Sequence, residues 1–367
     1  MNILFNDFKK QYQAIKPEID QAIQRVLDSG WYILGKEVEQ FEQEFAKKHG
    51  AKYAIGVGNG LDAIKISLLA LWVWQWDEVI TTSHSAVATT LAILDVGALP
   101  VFVDIDAYYH MDANKIEEKI TSKTKAILPV HLYGQACEIT KMQEICKKHD
   151  LFLIEDCAQS HFTKYDGQFV WNFWQVGCFS FYPTKNLWAY GDAGAIITND
   201  EELYKKCKMI RNYGQENRYE HKIYGINSRL DEIQAAILQV QLKHIDQGTQ
   251  RRSEIAQKYR DWLSVLPQIS LPKIKEHCVH TYHLFVIEID ERDALMAYLK
   301  GKWIPSLIHY PLSIHKQPFL EWKYAEATLP VLDQKVKNIL SLPIHPLLTD
   351  EEIEYIISTI KMFYNEK

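Results

Sequence analysis

The chain has 367 residues, room for one large domain and a smaller one. A formal net charge of −6 with 24% charged residues argues against a nucleic-acid surface or a polybasic membrane patch. No apolar run is long enough to span a bilayer, and the first residues lack the pattern of a signal peptide.

The six cysteines form no CxxC pair and no zinc spacing, so they are expected as reduced thiols in a cytoplasmic protein. Cys157 and Cys178 are expected near the functional site as small packing residues. Along the chain, residues 8–27 have helical periodicity, and 37–49 read as a second amphipathic helix. Strand-like runs then alternate with helical ones. Residues 53–57, 78–82, 99–103, 126–129, 152–154 and 195–198 read as strands; 61–71, 87–96 and 139–148 read as helices. This alternation predicts an α/β fold with a mostly parallel sheet, whose ligands bind at the carboxyl ends of strands. From about residue 249 the pattern changes to a long helix, 251–266, followed by short strands and helices. The expected division is a large domain, 1–248, and a small α+β domain, 249–367.

Two segments carry the chemistry. Leu153-Ile154-Glu155-Asp156-Cys157-Ala158-Gln159-Ser160 puts an acid at the end of an apolar strand. Ser180-Phe181-Tyr182-Pro183-Thr184-Lys185-Asn186-Leu187 puts a lysine on a turn about thirty residues later. A pyridoxal phosphate (PLP) enzyme needs such a pair: a lysine for the Schiff base and a carboxylate to keep the pyridine nitrogen protonated. Taken alone, Lys185 reads as a surface lysine and Asp156 as a helix cap. Gly56-Val57-Gly58-Asn59-Gly60-Leu61 follows a strand and opens a helix, so its backbone N–H groups can face a phosphate. It is a weak dinucleotide fingerprint, because Leu61 stands where GxGxxG needs its last glycine.

These segments resemble the DegT/DnrJ/EryC1/StrS family of nucleotide-sugar aminotransferases, of aspartate-aminotransferase fold type, and the resemblance runs from about Asn6 to Phe363. It implies that Lys185 forms the Schiff base and then moves the proton between amino donor and cofactor. Asp156 would pair with the pyridine nitrogen, and Gln159 would hydrogen-bond the ring hydroxyl. Gly60 and Leu61 would offer main-chain N–H groups to the phosphate, and Ser180 its hydroxyl. Many relatives place an aromatic ring over the cofactor near Ala86. Here His84 could substitute, with a capping or core histidine as the alternative. In Tyr224-Gly225-Ile226-Asn227-Ser228-Arg229, Asn227 matches an asparagine that reaches the phosphate of the opposite subunit, which implies a homodimer. Without the resemblance it is a turn residue before a helix starting near Asp231. In Ile308-His309-Tyr310-Pro311-Leu312-Ser313-Ile314-His315, Tyr310 and His315 would bind the sugar nucleotide, or the loop merely packs the domain interface.

The resemblance fails in one repeated way. Trp72, Trp74, Trp76, Trp171, Trp174, Trp188 and Trp303 stand where relatives have glycine. Glycine is 16 of 367, about 4% against a usual ~7%. An exposed partner-binding patch would not explain why the tryptophans replace glycines in particular. A codon read as glycine in one genetic code and tryptophan in another, UGA, would. On that account several of these residues should have φ > 0 and others should be crowded or exposed, whereas Trp31 and Trp262 should look ordinary; Trp322 is left open. Trp188, three residues from Lys185, should crowd the cofactor turn.

The expectation is therefore a homodimeric PLP-dependent aminotransferase. It would move an amino group from an amino acid, glutamate by preference, to a nucleotide-linked keto sugar, at C3 of a dTDP-6-deoxyhexose or else at C4. Two rivals remain: a non-catalytic PLP-binding homologue, if the tryptophans obstruct the site, and a nicotinamide-dependent dehydrogenase built on Gly56–Gly60.

Overall fold

Short runs of β-branched and aliphatic residues, such as Glu78-Val79-Ile80-Thr81-Thr82 and Gly194-Ala195-Ile196-Ile197-Thr198, build one central sheet. The structure, a computed structural model, describes residues 3–324 and 327–365. The sheet strands are β1 (Tyr53–Val57), β2 (Glu78–Thr82), β3 (Leu99–Val103), β4 (Thr124–Leu128), β5 (Phe152–Asp156), β6 (Val176–Ser180) and β7 (Gly194–Thr198). Their order is β1-β7-β6-β5-β4-β2-β3. Strands β3, β2, β4, β5 and β6 are parallel to their neighbours in that series, and β7 runs antiparallel to both β1 and β6.

Helices cover both faces, which is why the strands are apolar almost throughout. On one face, α4 (Gly60–Ala70), α5 (Val87–Asp95) and α7 (Glu201–Ile210) pack on the sheet. The other carries α3 (Lys36–Lys48), α6 (Ile139–His149) and the start of α8 (Glu232–Leu263). The expected helix over 8–27 is two, α1 (Phe8–Ala14) and α2 (Lys16–Ser29), because the chain leaves helical geometry at Ile15, just before Pro17 starts the second. Strand β6 and helix α7 escaped the sequence reading. The helix expected over 251–266 is the far half of α8, a continuous helix of 32 residues.

The expected boundary at 248/249 thus falls inside α8. The first half of the helix packs on the large core, and Ile255, Ala256, Tyr259 and Leu263 pack on a second one. That second core also takes α9 (Arg292–Gly301), α10 (Asp350–Asn365) and the antiparallel pair β8 (Phe285–Glu288) and β9 (Ile339–Leu342).

Four of the seven suspect tryptophans have left-handed backbone: Trp72 (φ 59°), Trp76 (75°), Trp171 (91°) and Trp303 (61°). Trp74 is exposed with ordinary backbone, and Trp174 buries its indole N–H without a partner. Trp188 does not behave as expected: it stacks on Tyr190 (ring centroids 5.1 Å apart) and meets Phe8, with ordinary backbone. Trp31 and Trp262 have ordinary backbone too, but are 62% and 57% exposed, so exposure does not separate the two groups, and φ sets apart four of the seven. The side chain of Trp322 lies outside the described residues.

Candidate cofactor site

Asp156 is the last residue of β5, at the carboxyl end of the parallel strands. It is buried. Its Oδ1 accepts the Ala158 N–H (3.1 Å), and its Oδ2 accepts the hydroxyl of Thr89 (2.8 Å) in the first turn of α5. Burial pushes its carboxyl above the usual range, opposed by those two donors and by the charge of Lys185.

Lys185 lies on the turn after β6 and is half-buried. Burial lowers its amine from 10.5 to about 8, while the Asp156 carboxylate pulls the other way. The two groups feel each other electrostatically.

The segment expected to take the phosphate is shaped by close backbone approach. A Cβ on Gly60 would meet Ser180 Cβ at 2.6 Å, and one on Gly194 would meet the Asn59 carbonyl carbon at 2.5 Å. Asn59 caps α4, its side chain accepting from Asp62 N and its carbonyl from Ala63 N. That leaves the Gly60 and Leu61 N–H groups at the helix start for an anion. The cradle, the buried carboxylate and the lysine of lowered basicity fit PLP, whose phosphate Gly60, Leu61 and Ser180 would hold, with Asp156 for the ring nitrogen and Lys185 for the aldehyde.

Gln159 follows β5 with its amide fixed: Oε1 accepts Tyr133 N–H (2.8 Å) and Nε2 donates to the Tyr310 hydroxyl (3.0 Å). One N–H of that amide remains for a ring hydroxyl. His84 lies in the turn between β2 and α5, buried, with Nε2 2.8 Å from the Tyr133 hydroxyl. That hydroxyl donates to the His309 carbonyl, so Nε2 of His84 carries the proton. Tyr310 sits beside Gln159, but His315 is enclosed: its Nδ1 bonds Ser83 Oγ (2.8 Å), which also accepts the His315 N–H. His315 therefore straps the small-domain loop to the end of β2.

Asn227 is exposed and its side chain has no partner among the described residues. Ser228, its neighbour, accepts from Gly58 N (3.0 Å) and donates to Asp62 Oδ2 (2.7 Å), tying this segment to the phosphate loop of its own chain. Cys157, just past β5, and Cys178, in the middle of β6, are buried, and burial raises both thiols. His131 and Cys157 lie close to Glu155, whose carboxylate is taken up by His131 and by the N–H groups of Trp171 and Phe173.

The sequence reading missed Thr89, Tyr133, Ser83 and Ser228. Thr89 and Tyr133 carry no signal in the sequence, because each meets its partner only through the fold.

A DegT/DnrJ/EryC1/StrS aminotransferase family model matches residues 13–361. The chain belongs to this family. It is 46% identical to the dTDP-3-amino-3,6-dideoxy-alpha-D-galactopyranose transaminase of Aneurinibacillus thermoaerophilus, over 98% of this chain and 99% of the relative. Among solved structures it superposes on Streptomyces venezuelae DesV in complex with a ketimine intermediate, with TM-score 0.97 and 39% identity, covering 99% of this chain and 98% of the other. NtdA from Bacillus subtilis with bound cofactor PMP gives TM-score 0.89 and 33% identity, over 94% and 81% of the two chains. The protein is a PLP-dependent aminotransferase of this family.

Proposed function

We propose that the protein transfers an amino group from glutamate to C3 of a dTDP-linked 3-keto-6-deoxyhexose, as a cytoplasmic homodimer. The observation that carries this is a Lys185 amine brought to about 8 opposite the buried Asp156, in a chain 46% identical to a transaminase named for a dTDP-3-amino sugar. When bound, PLP supplies an electron sink for the carbon that loses a proton. Lys185, largely unprotonated just above pH 8, accepts the proton from the donor carbon and returns it on the acceptor side. Asp156 holds the ring nitrogen protonated by matching its charge, and Gln159 orients the ring hydroxyl. Gly60, Leu61 and Ser180 anchor the phosphate, and Asn227 reaches the partner's phosphate across the two-fold axis. Residues 1–248 carry the cofactor. Residues 249–367 bring the loop with Tyr310 over the sugar nucleotide, and His315 positions that loop through Ser83. His84 backs this wall through Tyr133.

The non-catalytic reading loses its ground, since the Trp188 ring finds room against Tyr190 and Phe8. The test is an assay with glutamate and dTDP-linked 3-keto and 4-keto sugars in parallel. Turnover of the 3-keto sugar, lost in Lys185→Ala, is expected; turnover of the 4-keto sugar alone would reassign the position. Inactivity of holoenzyme on both would refute the substrate class.

A further inference from the structure

We propose that Thr89 is a positioning residue for the cofactor ring, acting through Asp156 and backed by Ser85. A carboxylate turns easily about its last torsion, and one hydrogen bond leaves it free to swing. Oδ1 of Asp156 is held only by the local Ala158 N–H, two residues on (3.1 Å). The second hold comes from another element: Thr89 Oγ1 lies 2.8 Å from Oδ2. Because an ionised carboxylate only accepts, the Thr89 proton points to Asp156, and Ser85 Oγ, 3.0 Å away, must then donate to Thr89. The result is a directed chain, Ser85 to Thr89 to Asp156, whose three members are 4%, 1% and 4% exposed. Two donors from opposite sides fix the carboxylate plane and favour its ionised form where burial opposes it. The other charges facing Asp156 are those of Lys185 and, when protonated, His131. Neither side chain hydrogen-bonds the Asp156 carboxylate, whose partners are Thr89 and Ala158 N–H, so neither replaces the hydroxyl.

The inference rests on the PLP site, and holoenzyme variants test it with two readouts besides turnover. Thr89→Val should weaken cofactor binding about tenfold to a hundredfold, the loss of one charge-assisted hydrogen bond. It should also move the pH midpoint of the cofactor absorbance upward. A ring nitrogen less firmly protonated withdraws less charge from the Lys185 nitrogen, which then keeps its proton to higher pH. Thr89→Ser should restore both values. Ser85→Ala should move the midpoint the same way by less, and serves if the valine variant does not fold. A role confined to packing would lower the melting temperature and leave the midpoint in place. An unmoved midpoint in both Thr89→Val and Ser85→Ala overturns the proposal; if the ring were not held by Asp156 at all, Asp156→Asn would leave it unmoved too.

A second inference rests on backbone alone. Four helix ends carry the same pair of closing hydrogen bonds, with one residue left-handed between them. After α3 it is Gly50 (φ 66°) and after α5 Gly97 (80°); after α4 it is Trp72 (59°) and after α9 Trp303 (61°). Val73 N bonds Leu68 O and Ile304 N bonds Leu299 O, as Ala51 N bonds Ala46 O and Ala98 N bonds Ile93 O. This is the helix stop that selects glycine, because a Cβ there strains the left-handed backbone. Trp171 adds a φ of 91° to an indole N–H buried without a partner. From this geometry we infer that the native chain carries glycine at 72, 76, 171 and 303, its codon there being one that other genetic codes read as tryptophan.

Peptide mass spectrometry on protein from cells native to the gene should find glycine at these four positions and tryptophan at Trp31 and Trp262; tryptophan at all six overturns the idea. Independently, Trp72→Gly and Trp303→Gly should unfold less readily than Trp72→Ala and Trp303→Ala, by several-fold in the unfolding constant. Alanine equal to or better than glycine would remove the geometric ground.

Discussion

The two residues on which the chemistry turns are set against each other by burial. Lys185 would ordinarily be free amine in roughly 0.3% of molecules at pH 8. With its amine at about 8, half of the molecules are ready. The amine is a nucleophile only without its proton, so capture of PLP by cofactor-free protein should rise as pH increases through about 8 and level off above. Stopped-flow absorbance of PLP binding measures this directly. Asp156→Asn should move the midpoint lower still, because the carboxylate is the charge that favours the protonated amine. Lysine, aspartate and glycine at this spacing are legible in the sequence because chemistry restricts those positions to a few residue types. Thr89, Tyr133 and Ser83 are illegible there for the opposite reason. Their types are common, and only the approach of α5 to β5, or of the small-domain loop to β2, gives them partners.

At the scale of elements, periodicity found most helices and strands, because those segments bury one face or both. It failed where a run was broken by one residue, as at Ile15. Over the first half of α8 the reading reached only a start near Asp231, because residues 235–242 are all buried and show no one-faced period. A single acid shows how the elements are locked. Glu232, in the first turn of α8 and 3% exposed, accepts hydrogen bonds from Gly35 N (2.8 Å), Glu37 N (2.9 Å) and Val38 N (3.1 Å). It caps α3 from outside, since Gly35 itself has no side chain to do so. Gly35 is required for the approach: a Cβ there would stand 2.8 Å from Glu232 Oε2. Glu232→Ala should cost about 2–4 kcal/mol by leaving these donors without an acceptor, and Glu232→Gln less. Urea denaturation curves of the two variants check both the size and the order.

For the whole molecule, the exposed Asn227 and the segment tied to Gly58 by Ser228 place one chain's phosphate loop next to the residue proposed to serve its partner. If Asn227 acts across a two-fold axis, a mixture of Lys185→Ala and Asn227→Ala chains should regain activity on subunit exchange. Half of the sites in the hybrid then hold both residues intact. No recovery, with hybrids verified by native mass spectrometry, would place Asn227 in its own chain's site or in none. The large and small cores are joined differently. Domains usually meet at an exposed, pliable linker, but here α8 runs about 48 Å through both without a break. Ile255, Ala256, Tyr259 and Leu263 belong to the same rigid rod as Ala235 and Leu238. A protease seeking a hinge near residue 248 meets a hydrogen-bonded helix. A fragment ending there would lose the turns that seat the second core, and neither half should be recoverable as a folded piece. Calorimetry of the intact chain should accordingly show one cooperative melting event, with the small core failing when the large one does.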